Sequence, residues 1–357
     1  MFISYFGPLT SFSVNLAHTV SLQMAATIKD IAKRLNISVS TVSYALNNGP
    51  RPVPEEIREK VLAVARELNY RPNRIARSLV TRRSHTIGVV PTEASINLAV
   101  TPYFQGLLNG ILNTAEILEH DVLIYTRYDA ERANEFVNTL LDGRADGLIL
   151  LAPRIDSQAM EQLAGQIPFV VTSDERRNAA HFGCDNSGGV RQAIDYLVQI
   201  GHRKIGHIAG DLRISDGQDR LVAFRSALAY HLLPAVESWI LEGSFLCEGG
   251  YTAGMKLLKQ PERPTAVFCA NDDSALGLVR AAWECGVRVP QDLSIIGFDN
   301  SPISSAVAPA ITTIGQPLDQ IGAAAMSAVV QYVETQQRPE SQTFHTELLI
   351  RASTAPI

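Results

Sequence analysis

From residue 86 onward the sequence alternates short apolar runs with longer amphipathic segments, and this alternation limits the possible fold more than any other feature. Runs with the length and composition of buried strands occur at 87–90, 122–125, 147–151, 169–172, 205–209, 266–270 and 293–297. Strands separated by helices pair in parallel, with helical crossovers on the faces of the sheet. The pattern therefore predicts an α/β body of parallel sheets, in which ligands bind at the carboxyl ends of the strands.

The alternation of strands and helices occurs twice in succession, which predicts two lobes. Lobe 1 is expected at about 86–185 and 315–335, and lobe 2 at about 186–313 and 336–353. We interpret Asp185 with Asn186, and the segment 312–317, as the crossings between the lobes. A cleft between two such lobes is a common place for a small-molecule site.

The segment that precedes the body has helical periodicity. Apolar side chains recur every three or four residues after Thr27, a candidate N-cap, and Asn36 stands where the chain must turn. A second helix is expected from about Ser40 and a third from Pro54. Three short helices that share one small core predict an all-α unit at residues 25–72.

The second of these helices carries small hydrogen-bonding side chains and almost no charge on its outward face. Its candidate DNA contacts, together with Thr27, are Ser38, Val39, Ser40, Thr41, Ser43, Tyr44 and Asn47. Hydroxyl and amide groups reach base edges in the major groove, and the methyl group of Val39 or Thr41 can contact a thymine methyl. The face therefore predicts the recognition helix of a helix-turn-helix.

Charge is distributed unevenly along the chain. The net charge is -5, but residues 25–85 hold 12 Lys and Arg against 5 Asp and Glu, and residues 1–24 hold no charged side chain. A segment of net charge +7 is thus joined to a body of net charge -12. Local positive potential is what binding to phosphates requires, so the charge pattern favours nucleic acid as the partner of the helical unit.

Two runs of residues match one known family in order and spacing. They are ATIKDIAKRLNISVSTVSYALNNG and, after Val53, LNYRPNRIARSL. The chain resembles the lactose-repressor/galactose-repressor (LacI/GalR) family of bacterial transcription regulators. It has Asn36 where that family commonly has Gly, and Tyr44 where it often has Arg. Because Arg reads guanine bidentately and Tyr cannot, we expect a different operator half-site.

The resemblance implies a small all-α helix-turn-helix head plus an α/β periplasmic-binding-protein-like body of two parallel-sheet lobes at 86–353. It also implies a hinge helix and linker at 73–85, which folds on operator DNA and inserts Leu79 into the minor groove. The hinge residues expected to contact DNA are Asn73, Arg74, Ala76, Arg77 and Leu79.

The same resemblance implies a ligand pocket in the cleft. Tyr103 and Phe104 match an aromatic pair that faces the ligand, Phe245 matches an aromatic that stacks on it, and Arg220 matches a ligand-clamping arginine. Strand ends that open on the cleft add three more candidate ligand-binding residues, Asn271, Asp272 and Asp299. Their bidentate hydrogen bonds suit the vicinal hydroxyls of a sugar or polyol, while an aromatic sandwich with Arg and Asp would also suit a purine or nucleoside.

Two other classes of function compete with a regulator. A ligand-binding receptor would share the two-lobed body, but the complete head and the lack of a signal-peptide pattern disfavour it. An enzyme acting on sugars or nucleotides would need a nucleophile or an acid/base pair, and Asp272, Asp273 and Asp299 supply carboxylates alone. The dispersed cysteines and histidines show no metal-ligand spacing, so we expect no catalytic residue, metal or cofactor.

Residues 1–24 are expected to be a disordered extension or a mis-assigned start, with Met24 as the true start. No apolar run is long enough for a membrane span, so a cytoplasmic protein is expected. After residue 353 no heptad tail follows to build a tetramer, which favours a homodimer. The sequence thus predicts a sequence-specific regulator, a repressor, that binds a pseudo-palindromic operator as a dimer and responds to a small-molecule effector.

Overall fold

The computed structural model describes residues 26–47, 51–71, 83–91, 101–126, 133–152, 161–173 and 179–357. The chain divides into two compact units, residues 1–82 and residues 83–357. The predicted extension at 1–24 lies outside the described residues, as do the hinge positions Asn73, Arg74, Ala76, Arg77 and Leu79 and the side chain of Asn47.

The described part of the first unit contains the three predicted helices. They are α1 (Ile28–Leu35), α2 (Val39–Asn47) and α3 (Glu55–Glu67). Their inward faces form one small core of Ile31, Ala32, Val42, Ala45, Val61, Val64 and Ala65. A core of this size forms only if every helix contributes, which explains why each helix has a continuous apolar stripe.

Local signals in the sequence set the ends of α1. The carboxylate of Asp30 accepts hydrogen bonds from the backbone N–H and the hydroxyl of Thr27, at 2.8 and 2.7 Å. Asn36 ends the helix in the left-handed conformation, with φ 51° and ψ 43°. Asn tolerates this conformation well among non-glycine residues, so the departure from Gly keeps the turn.

The described part of the second unit contains two six-stranded sheets. The lobe 1 sheet has the order β11-β5-β4-β3-β1-β2 and every neighbouring pair in it is parallel. Its strands are β1 (Thr86–Val90), β2 (Asp121–Ile124), β3 (Gly147–Leu151), β4 (Phe169–Thr172), β5 (Ala180–Cys184) and β11 (Gln342–Phe344). The strands β1, β3 and β4 are almost completely buried, as expected for parallel strands covered on both faces.

The lobe 2 sheet has the order β12-β10-β9-β8-β6-β7. All its pairs are parallel except β10 with β12. Its strands are β6 (Ile205–Ala209), β7 (Ile240–Glu242), β8 (Ala266–Cys269), β9 (Ser294–Asp299), β10 (Thr312–Gly315) and β12 (Glu347–Leu349). This sheet therefore repeats the architecture of lobe 1 with one antiparallel edge strand.

Helices cover the two sheets. They are α4 (Pro102–Ile117), α5 (Ala133–Leu140), α6 (Asn186–Gln199), α7 (Ser215–Tyr230), α8 (Cys247–Leu258), α9 (Asp272–Glu284), α10 (Pro302–Ala306) and α11 (Leu318–Thr335). The helix α4 packs against α11 in lobe 1, whereas α6 pairs with α7 and α8 with α9 in lobe 2. Gly110 and Gly322 lie where α4 and α11 meet, and a Cβ at either would overlap backbone atoms of the opposite helix.

Within the described residues the chain crosses between the lobes three times. Two crossings follow β5 at Asp185 and β10 at Gly315, near the predicted places, and the third joins β11 to β12. The predicted lobe boundaries differ here, because the lobe 2 strand β10 extends past residue 313 to Gly315 and because β11 belongs to lobe 1. A strand of three residues such as β11 has too little apolar periodicity to be recognised from the sequence. Among the described residues, no helix has both the length and the apolar character that a membrane span requires.

Candidate effector site and DNA-reading helix

Arg220, on α7, is the central residue of the candidate effector site. It is only 2% exposed, and a buried cation is stable only when its hydrogen-bonding capacity is used. Its Nε donates to Asn186 Oδ1 at 2.8 Å, and its Nη1 donates to the carbonyl of Ala270 at 2.5 Å. The face of the guanidinium lies 3.7 Å from the ring centroid of Phe298. Arg220 is therefore held in one orientation by groups from the first crossing and from two strand ends.

Asp299 ends β9 beside this arginine. Its Oδ1 lies 3.6 Å from Nη1 of Arg220 and accepts a hydrogen bond from Gln316 Nε2 at 2.6 Å. The carboxyl group is buried, and burial raises the pKa of Asp299 while Arg220 partly opposes that rise. Asp299 has φ 108°, a backbone conformation that costs free energy outside glycine. Strain combined with an incompletely compensated charge is typical of a functional site.

Asn186 connects Arg220 to a second carboxylate. While its Oδ1 accepts from Arg220, its Nδ2 donates to Asp216 Oδ1 at 2.8 Å. Asp216 lies in the first turn of α7, four residues before Arg220, so both side chains are on the same face of that helix. The site therefore contains one arginine between two carboxylates, all on lobe 2.

Tyr103 contributes from lobe 1, in the first turn of α4. Its hydroxyl group forms a hydrogen bond with Ser173 Oγ, and its ring contacts Phe104 edge-on with 5.2 Å between centroids. Burial raises the pKa of Tyr103, and the charge of Asp216 raises it further. Tyr103 is thus close enough to the lobe 2 cluster to be affected by its charge. The ring of Phe104 is buried in the apolar core rather than open to solvent.

Phe245 and Asn271 form a further part of lobe 2. Asn271 caps α9, with Oδ1 accepting from the backbone N–H of Ser274 at 2.9 Å, and its Nδ2 donates to the carbonyl of Phe245 at 2.9 Å. The ring centroid of Phe245 lies 5.7 Å from the guanidinium carbon of Arg220. Asn271 therefore positions the backbone that carries the aromatic ring.

Asp272 differs from the sequence-based expectation of a ligand contact. Its Oδ2 accepts from the N–H and the hydroxyl of Ser301 at 2.7 and 3.0 Å, and its Oδ1 accepts from Thr313 Oγ1 at 2.6 Å. The side chain is almost completely buried, and burial raises the pKa of Asp272 to about 6. With both oxygens bonded to the protein, the carboxylate ties α9 to residues that follow β9 and lie in β10. Asp272 therefore stabilises the fold of lobe 2.

The structure thus brings together Tyr103, Arg220, Phe245, Asn271 and Asp299, and it adds three residues that the sequence analysis did not select. Asn186 and Gln316 lie in the two crossings that the sequence did identify. Because crossing segments form the floor of an interlobe cleft, their polar side chains could have been nominated on that ground. Asp216 carried no such signal beyond its spacing from Arg220.

The candidate recognition helix α2 presents the predicted face. Val39 is 42% exposed and Ser40 is exposed, while Val42 and Ala45 are buried. Ser38 precedes the helix, and its Oγ accepts from the N–H of Thr41 at 3.0 Å. The same Oγ lies within hydrogen-bond distance of the hydroxyl groups of Ser40 and Thr41. Ser43 and Tyr44 are half-buried, so a hydroxyl-rich surface with no charged side chain follows the turn.

A helix-turn-helix unit joined to a two-lobed α/β body with a buried polar site defines a class of protein: DNA-binding regulators that carry a small-molecule-binding body. Comparison with known families agrees. The family described as "Bacterial regulatory proteins, lacI family" matches residues 27–73, and the "Periplasmic binding protein-like domain" matches residues 194–354. The chain belongs to the LacI family of bacterial transcriptional repressors, and the expected fold class is confirmed.

Similar proteins cover nearly the whole chain. The HTH-type transcriptional repressor PurR of Shigella sonnei is 35% identical over 337 residues, which is 92% of this chain and 97% of the relative. The ribose operon repressor of Haemophilus influenzae is 37% identical over 312 residues, 87% of this chain and 92% of the relative.

Solved structures of similar proteins support the same family assignment. The Lac repressor dimer bound to operator and the anti-inducer ONPF is 29% identical, with a TM-score of 0.83 over 92% of this chain and 99% of that chain. The complex of the transcriptional regulator CelR with cellobiose is 26% identical, with a TM-score of 0.72 and the same coverage. The chain is a DNA-binding transcription regulator with a ligand-binding body.

Proposed function

We propose that this LacI-family repressor binds a pseudo-palindromic operator as a homodimer and that a sugar or polyol in the interlobe cleft controls its operator affinity. The observation that carries the proposal is the cluster in which the buried Arg220 and Asp299 meet the half-buried Asn186 and Asp216. Such a cluster needs a functional reason, because buried charges are costly to maintain where only stability is at stake.

The chemistry of the cluster favours a ligand rich in hydroxyl groups. Asp299 lies beside Arg220 and Asp216 is joined to it through Asn186, so two carboxylates more than offset the arginine's charge and the described part of the cluster favours a neutral ligand over an anion. Vicinal hydroxyls can donate to Asp216 and Asp299 and accept from Arg220. The ring of Phe245 offers a flat apolar surface to the C–H face of a sugar. Relatives named for a ribose operon and complexed with cellobiose support a sugar.

A purine or nucleoside is the second candidate effector. Tyr103 and Phe245 come from different lobes, and two aromatic side chains combined with Arg220 and Asp299 also suit a flat polar ring. Asp299 supports this alternative, because burial raises its pKa and a protonated carboxyl can donate to a ring nitrogen. Direct binding measurements separate the two ligand classes.

The operator is read by α2, and the hinge residues 73–79 contact the minor groove. A two-fold symmetric dimer explains why the operator should be pseudo-palindromic. Large apolar side chains that are exposed in the single chain, among them Ile117 on α4 and Trp283 on α9, supply surface for such an interface. The dimeric Lac repressor supports this assembly state.

The relatives are transcription repressors rather than enzymes, which supports a regulator over a catalyst. A repressor acts on chromosomal DNA, so we place the protein in the bacterial cytoplasm. Ligand binding changes the angle between the lobes, and this change acts on the hinge segments of the dimer. Linkage requires that operator DNA change ligand affinity by the same factor as ligand changes operator affinity.

The test uses the full chain. Operator sequences are selected from randomised duplexes at moderate salt, and binding of D-ribose, cellobiose, D-galactose, hypoxanthine and adenosine is measured by calorimetry and thermal shift. We expect enrichment of a palindrome and a change in its affinity with one of these compounds. If no palindrome is preferred over random duplex, with or without these compounds, the proposed function is wrong.

A further inference from the structure

The carboxylate of Asp146 accepts hydrogen bonds from the first residues of the body. Asp146 directly precedes β3, and its oxygens accept from the backbone N–H of Ser84 at 2.8 and 3.0 Å and from the N–H of His85 at 2.8 Å. The hydroxyl of Ser84 donates to the same group at 2.9 Å. The backbone N–H of Asp146 also donates to the carbonyl of Thr86 at 2.8 Å. Two successive amides and one hydroxyl therefore point to a single charged side chain.

We call Asp146 and the groups of Ser84 and His85 that it binds the clamp. Arg83, the residue before the clamp, is attached elsewhere in lobe 1. Arg83 donates from Nη2 to the carbonyl of Val333 at 2.9 Å. Val333 lies near the end of α11, a helix of 18 residues from Leu318 to Thr335. At a rise of about 1.5 Å per residue such a helix is about 27 Å long. Three consecutive residues, 83–85, are thus held by two separate elements of one lobe.

The helix α11 also begins beside the effector site. Gln316, which donates to the carboxylate of Asp299, lies two residues before α11. A single rigid element therefore starts at a group that contacts the site and ends at the attachment point of residue 83. Its close packing against α4 at Gly110 and Gly322 leaves little room for the helix to move independently of lobe 1.

The clamp lies where the linker joins the body, so it affects how a movement of lobe 1 reaches the linker. Residues 73–82 connect the DNA-binding unit to residue 83. A connection through a flexible joint would absorb a lobe movement, whereas a joint fixed by charge-assisted hydrogen bonds passes it on. A carboxylate that accepts from consecutive backbone amides fixes both the position and the direction of the chain.

We propose that Asp146 is a positioning residue that fastens the body end of the linker to lobe 1, so that reorientation of lobe 1 on effector binding reaches the hinge. The inference rests on the proposed function and concerns how its ligand site controls DNA binding. Asp146 contacts neither ligand nor DNA in this mechanism. It acts through residues 83–85, with Arg83 and Val333 as the second attachment.

The variant Asp146→Ala in the full chain tests the inference. Operator and random-duplex affinities are measured without ligand, and operator affinity is measured again with saturating D-ribose, cellobiose or hypoxanthine. Allosteric coupling commonly gives about 5- to 150-fold changes in affinity, and we expect this response to fall below about twofold in the variant. Without ligand, we expect the preference for operator over random duplex to fall about tenfold, since the hinge is no longer positioned. Affinity for the effective probe should stay unchanged.

Asp142→Ala is the matched control. Asp142 lies in the same turn before β3, but its carboxylate accepts from the N–H and side chain of Arg144. This control should behave like the wild-type chain in every measurement. Asp146→Asn keeps the shape and one acceptor oxygen, and should retain part of the response. If Asp146→Ala does not fold, Ser84→Ala and Arg83→Met each remove one part of the attachment and should reduce the response.

The outcomes separate the inference from the function on which it rests. The clamp alone is overturned if the wild-type chain prefers an operator and folded Asp146→Ala shows the same operator preference and the same ligand response. If none of the three probes changes the operator affinity of the wild-type chain, the operator preference measured without ligand tests the clamp. An unaltered preference in folded Asp146→Ala then overturns it. A wild-type chain with no operator preference would overturn both the clamp and the proposed function.

Discussion

The guanidinium of Arg220 and the carboxylate of Asp299 are 3.6 Å apart, and the two side chains are 2% and 7% exposed. An ion pair buried to this degree keeps a large part of its desolvation cost, because the protein interior screens and solvates charge poorly. The pair has further partners on both sides, with Asn186 on the arginine and Gln316 on the aspartate. Both partners belong to crossings between the lobes, so the relative position of the lobes and the state of the pair are connected.

Replacing this arginine should abolish effector control. In Arg220→Met we expect ligand affinity to fall about 10- to 100-fold, since a hydrogen bond to a charged group contributes about 1.5–3 kcal/mol. Operator binding without ligand should persist, and calorimetry together with operator titration measures both. Arg213→Met is the control, because Arg213 is an exposed residue near the start of the same helix and pairs with Asp211 at 2.9 Å. Equal losses in both variants would contradict the assignment.

The stability of lobe 2 should depend on one buried histidine. The ring of His207 stacks against the rings of Phe224 and Phe268, and burial lowers the pKa of His207 to about 4 from its usual value of 6.5. The unfolded chain therefore binds more protons than the folded chain between these two values. Stability is lost as the pH falls from about 6.5 through 4, and by about pH 5 this histidine alone costs about 2 kcal/mol.

The variant His207→Phe checks this dependence. Phe keeps the stacked ring and cannot bind a proton, so urea unfolding at about pH 7.5 and about pH 5 should show a smaller loss of stability than in the wild-type chain, by about 2 kcal/mol. The variant can be less stable at both pH values, because the hydrogen bond from His207 to the carbonyl of Phe268 is lost. An identical pH dependence in the two chains would refute the assignment.

Tyr44 should contribute to the choice of operator half-site. Tyr44→Arg introduces a bidentate donor on a half-buried position of α2 without changing the buried Val42 and Ala45. We expect selected operators to gain a guanine at one symmetric position, with about 1–3 kcal/mol of discrimination per half-site. Selection from randomised duplexes compares the two chains. Tyr44→Phe serves as a control that removes the hydroxyl at the same position and adds no donor, and an unchanged consensus for Tyr44→Arg would exclude contact at this position.

Leu79 should act on DNA alone. Leu79→Ala removes the proposed minor-groove wedge, so operator affinity should fall while affinity for the effector stays as in the wild-type chain. Bending of the operator, followed by energy transfer between dyes at its two ends, should fall with it. This behaviour is the reverse of that expected for Arg220→Met. Retained bending in Leu79→Ala would rule out the wedge.

The sequence by itself determined the features that depend on local chemistry. Capping at Thr27, the left-handed turn at Asn36 and the apolar stripes of α1 to α3 are encoded within a few residues of each other. Seven of the described strands of the body were also predicted to within about two residues, because a buried parallel strand is recognisable as an apolar run between amphipathic helices, whereas the five-residue strand β5 was missed. Arg220 and Asp299 could be nominated from the family resemblance and from their position at strand ends.

Only the tertiary structure decided which polar groups meet. Asp272 was nominated because it follows a strand and Asp216 was not, yet Asp272 is used by Ser301 and Thr313 while Asp216 joins Arg220 through Asn186. The assignment of β11 to lobe 1, and the attachment of residues 83–85 to Asp146, were likewise invisible. These contacts join residues far apart in the chain, and their partners are set by how the sheets and helices pack. Local periodicity carries no information about such pairings.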